Sequence, residues 1–172
     1  MDEILLIDGY NIIHAWDRIF DVDNEPLEDL RDRLINIMSN YQGYRKINVV
    51  IVFDAQGANR SKTTEEKIDG ITVVYTGEKE SADHYIERYV YNMSDRFVVR
   101  VATSDYLQQQ IILNNGGVRM SARELMHEVF QNAKKVDKFN DLGKPRKRNT
   151  IMSSIPDDVL KDLKRIVKND KD

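Results

Sequence analysis

Four carboxylates in this chain stand at or shortly after the ends of apolar runs. They are Asp8, Asp54, Asp83 and Asp105. Three of them follow a run with the length of a buried strand, and Asp83 comes a few residues after such a run, where a helix is predicted to begin. In an open parallel sheet, the carboxyl ends of the strands form the crevice where ligands bind. The spacing therefore predicts that the four carboxylates converge at one edge of a sheet.

Such a convergence of like charges needs compensation. At an effective dielectric constant of about 20 and a separation near 5 Å, each pair of carboxylates costs roughly 3 kcal/mol. The cluster persists only if the pKa values of the carboxyl groups rise or a cation binds. Because hard oxygen ligands suit Mg²⁺ and Mn²⁺, the pattern predicts a divalent-metal site, a kind of site that can hydrolyse phosphodiesters.

Small polar residues beside the carboxylates extend this pattern. Gly9 follows Asp8 and permits a tight turn or the close approach of a ligand. Asn11 supplies an amide that can orient a carboxylate or a phosphate, and Ser104 supplies a hydroxyl next to Asp105. Each carboxylate also has a structural interpretation, as a helix cap or an acid in a first helical turn. Recurrence at successive strand ends favours the site, because serine, threonine and asparagine cap helices as well.

Aromatic and ionisable neighbours leave their own alternatives open. Tyr10, Trp16 and Tyr106 lie close in sequence to the carboxylates. An aromatic ring at such a site can stack a nucleobase, whereas packing in the core or at its rim is the alternative and is favoured for Trp16. His84 and Glu87 lie near Asp83 on a predicted helix, where a surface position is the alternative to a place in the site.

The segments that position these residues alternate between strand-like and helix-like patterns. Strands are predicted at 3–8, 47–54, 71–75, 97–103 and 118–120, and helices at 27–42, 82–93, 106–114 and from Ser121 onward. Ser121 with Glu124 three residues later forms a capping box, and the polar segment 55–70 is predicted to be a loop. Strands alternating with helices predict an α/β domain with a mainly parallel central sheet flanked by helices.

The bulk composition excludes several classes of protein. A chain of 172 residues is long enough for one domain with a sizeable core. The absence of cysteine excludes disulfides, thiolate catalysis and zinc–thiolate sites, and it fits a reducing compartment. The acidic N-terminus is not that of a signal peptide, and no apolar run approaches the ~18 residues of a membrane span. We therefore expect a cytoplasmic protein with no membrane partner.

The charge is distributed unevenly along the chain. Residues 134–172 carry 12 Lys/Arg against 7 Asp/Glu, whereas residues 1–133 carry 14 against 22. We therefore predict an acidic domain at 1–133, and a basic arm with a last helix near 156–168 in residues 134–172. A basic cluster can bind phosphates, although solvated surface is the common alternative. The residues predicted to contact a polyanion are Arg123, Lys144, Arg146, Lys147 and Arg148.

Taken together, the motifs resemble the NYN domain of the PIN-like nuclease superfamily, and more narrowly the bacterial YacP-like proteins. The matching segments, in order over essentially the whole chain, are Leu-Ile-Asp8-Gly-Tyr-Asn11, Val-Phe-Asp54-Ala, Glu80-Ser-Ala-Asp83, Ala-Thr-Ser-Asp105-Tyr and Ser121-Ala-Arg123-Glu124-Leu125. The resemblance implies a PIN-like three-layer α/β fold and metal-dependent endoribonuclease activity. It also implies that the four aspartates hold Mg²⁺ or Mn²⁺ and that Asn11 and Ser104 support them.

The expected reaction is hydrolysis of an RNA phosphodiester. Asp8 is expected to be a direct metal ligand, and Asp83 a ligand or the residue that orients the attacking water. Asp54 and Asp105 complete the negative site. The best-studied branch of the family cuts messenger RNA on the ribosome, so the resemblance implies messenger RNA as substrate and the ribosome as a partner.

Three alternatives stay open at this point. The first is a non-catalytic ribosome- or RNA-binding module with a vestigial acidic pocket. The second is a phosphotransfer enzyme of the haloacid-dehalogenase type, although that chemistry wants a second aspartate where this chain has Tyr10. The third is a nuclease that acts on DNA, because metal chemistry at a phosphate does not distinguish the two sugars.

Overall fold

The computed structural model of the chain describes residues 2–55 and 61–140, together with Lys161. Strands and helices alternate through these residues. In chain order, they are β1 (Glu3–Asp8), α1 (Gly9–Ala15), α2 (Leu27–Arg45), β2 (Asn48–Phe53), β3 (Thr64–Ile68), β4 (Ile71–Tyr75), α3 (Ala82–Met93), β5 (Val98–Ala102), α4 (Tyr106–Asn114), β6 (Val118–Met120) and α5 (Ala122–Asn140).

The strands form one six-stranded sheet in the order β3-β4-β2-β1-β5-β6. Every neighbouring pair is parallel except β3 and β4, which are antiparallel. The first strand of the chain therefore lies inside the sheet, between β2 and β5. Because parallel strands point the same way, their carboxyl ends share one edge.

Both faces of the sheet are covered by helices, which gives the three layers that the sequence predicts. Leu5 and Ile7 of β1 point to one face, where they join a core with residues of α1, α2 and α5. Ile4 and Leu6 point to the other face and pack with α3 and Ile112 of α4. Successive side chains of a strand alternate between faces, so a strand buried on both sides must be apolar throughout. The predicted α/β fold with a mainly parallel sheet is confirmed.

One strand was not predicted. Residues 64–68 form β3 and not part of a loop, because they pair with β4 at the edge of the sheet. The two strands are joined by Asp69 and Gly70, whose φ angles are +48° and +88°. Positive φ at both central residues is the signature of a type I′ hairpin turn, for which Asp-Gly is a preferred sequence. The strand is polar because it lies mostly exposed, and its composition therefore imitates a loop.

The remaining predicted elements agree with the structure except at their ends. Helix α2 continues three residues beyond the predicted end at 42. The capping box of α5 forms as predicted, because the Ser121 amide donates to Glu124 (2.7 Å) and the Glu124 amide donates to Ser121 Oγ (3.1 Å). No described helix is long and apolar enough to cross a membrane.

The C-terminal part of the prediction needs one correction. Residues 134–140 were expected to begin an exposed arm or loop, but they continue helix α5 to Asn140. The helix can continue because no glycine or proline interrupts residues 134–140; the first such residue is Gly143. The predicted arm beyond this point and the helix predicted near 156–168 lie outside the described residues, apart from Lys161. The division of the chain at 133 stays a prediction.

Candidate active site

The carboxyl ends of three neighbouring strands bring three of the predicted aspartates to one edge. Asp8 ends β1, Asp54 directly follows β2, and Asp105 follows β5 after a two-residue link. Since β1 lies between β2 and β5, Asp8 is the central carboxylate. Asp83 joins from the first turn of α3, and its charge acts on Asp8. We call this set of four aspartates the carboxylate edge. Their catalytic roles stay a prediction.

Burial and repulsion act together on the central carboxylate. They raise the pKa of Asp8 from an ordinary value of 3.8 to about 7, with burial the largest cause and the charge of Asp83 the next. The backbone N–H of Asn11 lowers this pKa in part, and the charges of Asp105 and Asp54 raise it further. A carboxyl group in this state favours either a proton or a cation at its oxygens.

The second predicted key residue is affected in the same direction. The pKa of Asp83 is raised, first by burial and then by the charges of Asp105 and Asp54. His84, which is exposed beside it on α3, lowers the pKa of Asp83. The charge of Asp83 in turn raises the pKa of Asp8, so the protonation of these two carboxylates is coupled.

Two of the aspartates also hold the helices beside them. Asp54 Oδ2 accepts a hydrogen bond from the backbone N–H of Ala82, at the start of α3 (3.3 Å). Asp105 Oδ1 accepts from the N–H groups of Leu107 and Gln108 at 2.9 and 3.2 Å, and so caps α4. Each of these bonds uses a single carboxylate oxygen. The structural and the functional interpretations are therefore compatible at both positions.

Asn11, three residues after the central carboxylate, connects helix α1 to the link that follows β5. Its Oδ1 accepts hydrogen bonds from the Ser104 backbone N–H (2.7 Å) and from Ser104 Oγ (3.0 Å). The bridge joins α1, which follows Asp8, to the link that leads from β5 to Asp105. Both bonds use the amide oxygen, so the Nδ2 donors of Asn11 are not consumed by the bridge. The two residues predicted to support the site therefore fix its geometry through each other.

Gly9 lets α1 pack directly on the end of β2. A Cβ at this position would lie 2.3 Å from Cε1 of Phe53, far closer than two carbon atoms can approach. The Phe53 ring also packs against Tyr10 and Tyr75, at centroid distances of 5.1 and 5.6 Å. We call these three rings the aromatic row. The row supports the turn that carries Asp8, because Tyr10 lies two residues after that carboxylate.

The oxygen ligands of the carboxylate edge suit a hard divalent cation but do not complete its coordination. All four groups offer carboxylate oxygens, which Mg²⁺ and Mn²⁺ prefer. Among residues 2–55 and 61–140, no three acidic, histidine or cysteine side chains lie close enough to hold a metal ion together. Mg²⁺ commonly keeps several waters and takes one or two carboxylates from the protein. The arrangement therefore fits a hydrated ion better than full coordination by the protein.

Arg31 is a cationic residue at this edge that the sequence did not reveal. Its Nη1 donates a hydrogen bond to Tyr10 Oη (3.0 Å), and its guanidinium carbon lies 6.0 Å from the centre of the Tyr75 ring. Both partners belong to the aromatic row, so Arg31 lies near the ends of β1 and β4. In the sequence it is one of several charged residues of α2, and no spacing connects it with the aspartates.

The three aromatic residues that lie near the aspartates in the sequence differ in how deeply they are buried. Trp16 is buried, and its Nε1 donates to the carbonyl oxygen of Ala122 (2.9 Å), so the core interpretation is correct. Tyr10 is half-buried in the aromatic row. Tyr106 is 73% exposed at the start of α4. Glu87, one turn along α3 from Asp83, is half-buried.

The structure describes one of the five basic residues predicted to bind RNA. Arg123 is exposed in the first turn of α5, which follows β6 at the same edge of the sheet as the aspartates. Its role in binding stays a prediction. The other four lie outside the described residues: Lys144, Arg146, Lys147 and Arg148.

Known proteins share this sequence and this architecture. The family model of the YacP-like NYN domain matches residues 5–168. The uncharacterized protein YacP of Bacillus subtilis (strain 168) is 40% identical over 131 residues, which are 74% of this chain and 75% of that protein.

Two crystal structures of Rae1 (YacP) from Bacillus subtilis are similar to this chain. A mutant form has a TM-score of 0.68 and 32% identity, and the match covers 95% of this chain and 99% of that chain. The other structure has a TM-score of 0.66 and 35% identity, with 81% and 79% covered. These matches confirm the resemblance and the PIN-like fold that the sequence motifs imply. The chain therefore belongs to the YacP-like NYN domain family.

Proposed function

We propose that this protein is a metal-dependent endoribonuclease that hydrolyses RNA phosphodiesters at the carboxylate edge. The observation that carries the proposal is the convergence of four aspartates at one edge of the sheet, where burial and the three neighbouring carboxylates raise the pKa of Asp8 to about 7. A buried group under such repulsion favours a cation at its oxygens. The NYN domain belongs to a nuclease superfamily, and the divalent metals usual there agree with an all-carboxylate donor set.

In this proposal, Asp8 would bind Mg²⁺ or Mn²⁺ directly, Asp83 would orient the attacking water beside the ion, and Asp54 and Asp105 would add negative charge around them. A divalent ion in such a site supplies a water of lowered pKa and stabilises negative charge on the phosphate. Asp54 and Asp105 keep α3 and α4 in place through their backbone hydrogen bonds. Through α3, Asp54 therefore helps to position Asp83.

Asp83 is the residue best suited to handle a proton. Its carboxylate is exposed at the edge, and its raised pKa increases its affinity for a proton from the attacking water. Asn11 and Ser104 keep the links after β1 and β5 in register, so that Asp83 faces a fixed central carboxylate. These residues orient the reacting groups, which lowers the entropy that the reaction must lose.

The chain also offers cations for the RNA backbone. Arg31 is held at the edge by Tyr10, and a guanidinium in a fixed position suits phosphate binding. We propose that Arg123 and the basic segment 144–148 extend this contact along the polymer. By resemblance to the family, the RNA is messenger RNA, the ribosome is a partner, and the protein works in the cytoplasm.

A non-catalytic RNA-binding module is the second candidate, and one observation favours it. No three potential ligands among the described side chains stand close enough to hold a metal. An acidic pocket that had lost its metal would show this looseness. The presence of all four aspartates favours the nuclease, because a vestigial site has no need to keep a carboxylate at the energetic cost that Asp8 bears.

The test compares three proteins: wild type, Asp83→Asn and Asp95→Asn. For each, cleavage of one RNA and of the DNA of the same sequence is measured with Mg²⁺ present. Asp83→Asn keeps the size of the side chain and removes its charge. We expect it to lower RNA cleavage by at least about 100-fold, the size expected when an electrostatic group of an active site is lost.

The matched control is Asp95→Asn. Asp95 follows the other end of α3, exposed and away from the carboxylate edge, so its removal should leave cleavage unchanged. Normal RNA cleavage by the Asp83→Asn protein would refute the assignment of the site. An RNA that all three proteins bind and none of them cuts would favour the binding module, and faster cleavage of DNA would correct the substrate.

A further inference from the structure

Two large apolar side chains stand exposed together beside the carboxylate edge. Tyr106 is 73% exposed and Leu107 is 69% exposed, and they are the first two residues of α4. They directly follow Asp105, so they cannot lie far from the predicted site. Neighbouring exposed apolar residues next to a polar site commonly mark a surface that a ligand covers.

The local structure holds this pair in place. Asp105 accepts hydrogen bonds from the backbone N–H groups of Leu107 and Gln108, which fixes the first turn of α4. The Asp105 amide in turn donates to Thr103 Oγ1 (3.1 Å), which ties the turn to the end of β5. The exposed ring of Tyr106 is therefore carried on a rigid part of the backbone.

The other aromatic residues near the aspartates already have partners within the protein. Trp16 is buried in the core, and Tyr10 packs on Phe53 and accepts a hydrogen bond from Arg31. Tyr106 is the one of these three whose ring faces solvent. A flat ring with an exposed face suits a flat partner, and stacking on a base tolerates any of the four bases.

The sheet order places the ring of Tyr106 and the guanidinium of Arg31 on opposite sides of the central aspartate. Tyr106 follows β5, on one side of β1, whereas the aromatic row that holds Arg31 includes the ends of β2 and β4, on the other side. A nucleic-acid strand that crosses the carboxylate edge along the sheet meets a ring on one side of the aspartates and a cation on the other.

We propose that Tyr106, with Leu107 beside it, is a base-stacking subsite that holds an unpaired base next to the phosphate to be cleaved. The inference rests on the proposed function, which supplies the RNA. A base within a duplex has both faces stacked and is not available to such a ring. The subsite therefore favours single-stranded RNA and sets where cleavage falls relative to an unpaired base.

The test uses the full-length protein with Asp83→Asn, so that the RNA stays intact during measurement. A short single-stranded RNA carries 2-aminopurine, a base whose fluorescence falls when it stacks on an aromatic ring. We expect quenching on binding, and we expect Tyr106→Ala to remove it and to weaken binding about 10-fold, within the range measured for base–aromatic stacking. Tyr106→Phe keeps the ring and should restore both.

The matched control is Tyr91→Ala. Tyr91 is 72% exposed, almost as much as Tyr106, but it lies eight residues after Asp83, about 12 Å further along the axis of α3. Its removal should change neither quenching nor affinity. A duplex of the same sequence should bind equally to the Tyr106→Ala protein and to its parent.

The outcomes separate the inference from the proposed function. If the Tyr106→Ala protein quenches the 2-aminopurine fluorescence and binds the RNA like its Asp83→Asn parent, while the wild-type protein cuts the same RNA, the subsite is refuted and the nuclease stands. If the quenching depends on Tyr106 but the wild-type protein cuts no RNA, the base-stacking subsite stands and the nuclease is refuted. If Tyr106→Ala changes only self-association in sedimentation, the pair contacts a second copy of the chain and the subsite is refuted.

Discussion

At the scale of the residue, the stability of the fold and the proposed function make opposite demands on Asp8. Burial and the neighbouring carboxylates raise its pKa to about 7, well above its ordinary 3.8. The folded chain therefore holds a proton on Asp8 at a pH where the unfolded chain has released it. Ionising Asp8 in the folded state therefore costs free energy. Strongly shifted carboxyl groups of this kind concentrate in active sites.

This difference gives the metal-free protein a defined dependence of stability on pH. Because the pKa in the folded state is the higher one, the contribution of Asp8 to the free energy of unfolding is fully present below about pH 4. It is lost as the pH rises toward about 7. Asp8→Asn should remove this loss and make the protein more stable than wild type at pH 8, by on the order of 2 kcal/mol after solvent screening.

Urea denaturation in the presence of a chelator, at pH 5 and at pH 8, measures this prediction. The Asp95→Asn protein is the control, because it loses one exposed carboxylate away from the edge. Its stability should follow that of wild type at both pH values. A protein with Asp8→Asn that is less stable than wild type at pH 8 would show that the Asp8 carboxylate is not under the repulsion described above.

The sequence is informative for some residues of the site and silent for others. The four aspartates could be predicted because each stands at the end of a recognisable strand or helix. Arg31 could not be predicted, because only the packing of α2 brings it to Tyr10. For Tyr106 the position beside Asp105 was visible, but the choice between packing and exposure needed the structure, in which it is 73% exposed.

At the scale of the element, the site depends on how closely α1 lies against β2. Gly9 begins α1, and a side chain there would overlap the Phe53 ring at the end of β2. The contact fixes the turn between β1 and α1, on which both Asp8 and Asn11 are carried. Strand-to-helix packing of this kind determines where the carboxylate edge can form.

Gly9→Ala should therefore lower the free energy of unfolding by about 1–3 kcal/mol, the usual range for overpacking in a core. The matched control is Gly43→Ala within α2, where a Cβ meets no other atom within 4 Å. That change should stabilise the protein by about 0.5–1 kcal/mol, because alanine is the better helix former.

Thermal unfolding of the two proteins beside wild type measures both effects. The expected result is a lower Tm for the Gly9→Ala protein and a higher Tm for the Gly43→Ala protein. An unchanged Tm after Gly9→Ala would mean that Phe53 can move away at no cost and that the aromatic row does not fix the turn.

Most of the elements could be predicted, but the edge strand β3 and the short helix α1 could not. Apolar strands buried on both faces and helices with an apolar stripe carry clear periodic patterns. β3 is an exposed edge strand, so its side chains Thr64–Ile68 have no such pattern and were predicted as loop. The available signal was Asp69-Gly70 before the apolar β4, a sequence that favours a two-residue hairpin turn.

At the scale of the whole molecule, the strand order creates the site. β1 lies between β2 and β5, although these strands are far apart in the chain, and the crossovers bring Asp54 and Asp105 to either side of Asp8. Alternation of strands and helices predicts a parallel sheet but does not by itself give the order of its strands. The convergence expected from the sequence is therefore a property of the topology and not of local pattern.

The fold also determines where the basic residue Arg123 lies. Arg123 lies in the first turn of α5 at the shared edge, and α5 continues through residues that sequence composition assigned to a loop. Polar composition after 133 imitates a loop because the exposed side of a helix is equally polar. Segment 144–148 is proposed to hold the polymer because of its positive charge.

The most direct measurement is the rate at which a fluorescent single-stranded RNA is cut after a chelator has removed divalent ions, as Mg²⁺ or Mn²⁺ is added back. Wild type should be inactive in the chelator and should regain activity to a plateau as metal is added. Asp8→Asn should stay at least about 100-fold slower at every metal concentration. Undiminished cleavage in the chelator, or wild-type activity of the Asp8→Asn protein, would contradict a metal-dependent nuclease at the carboxylate edge.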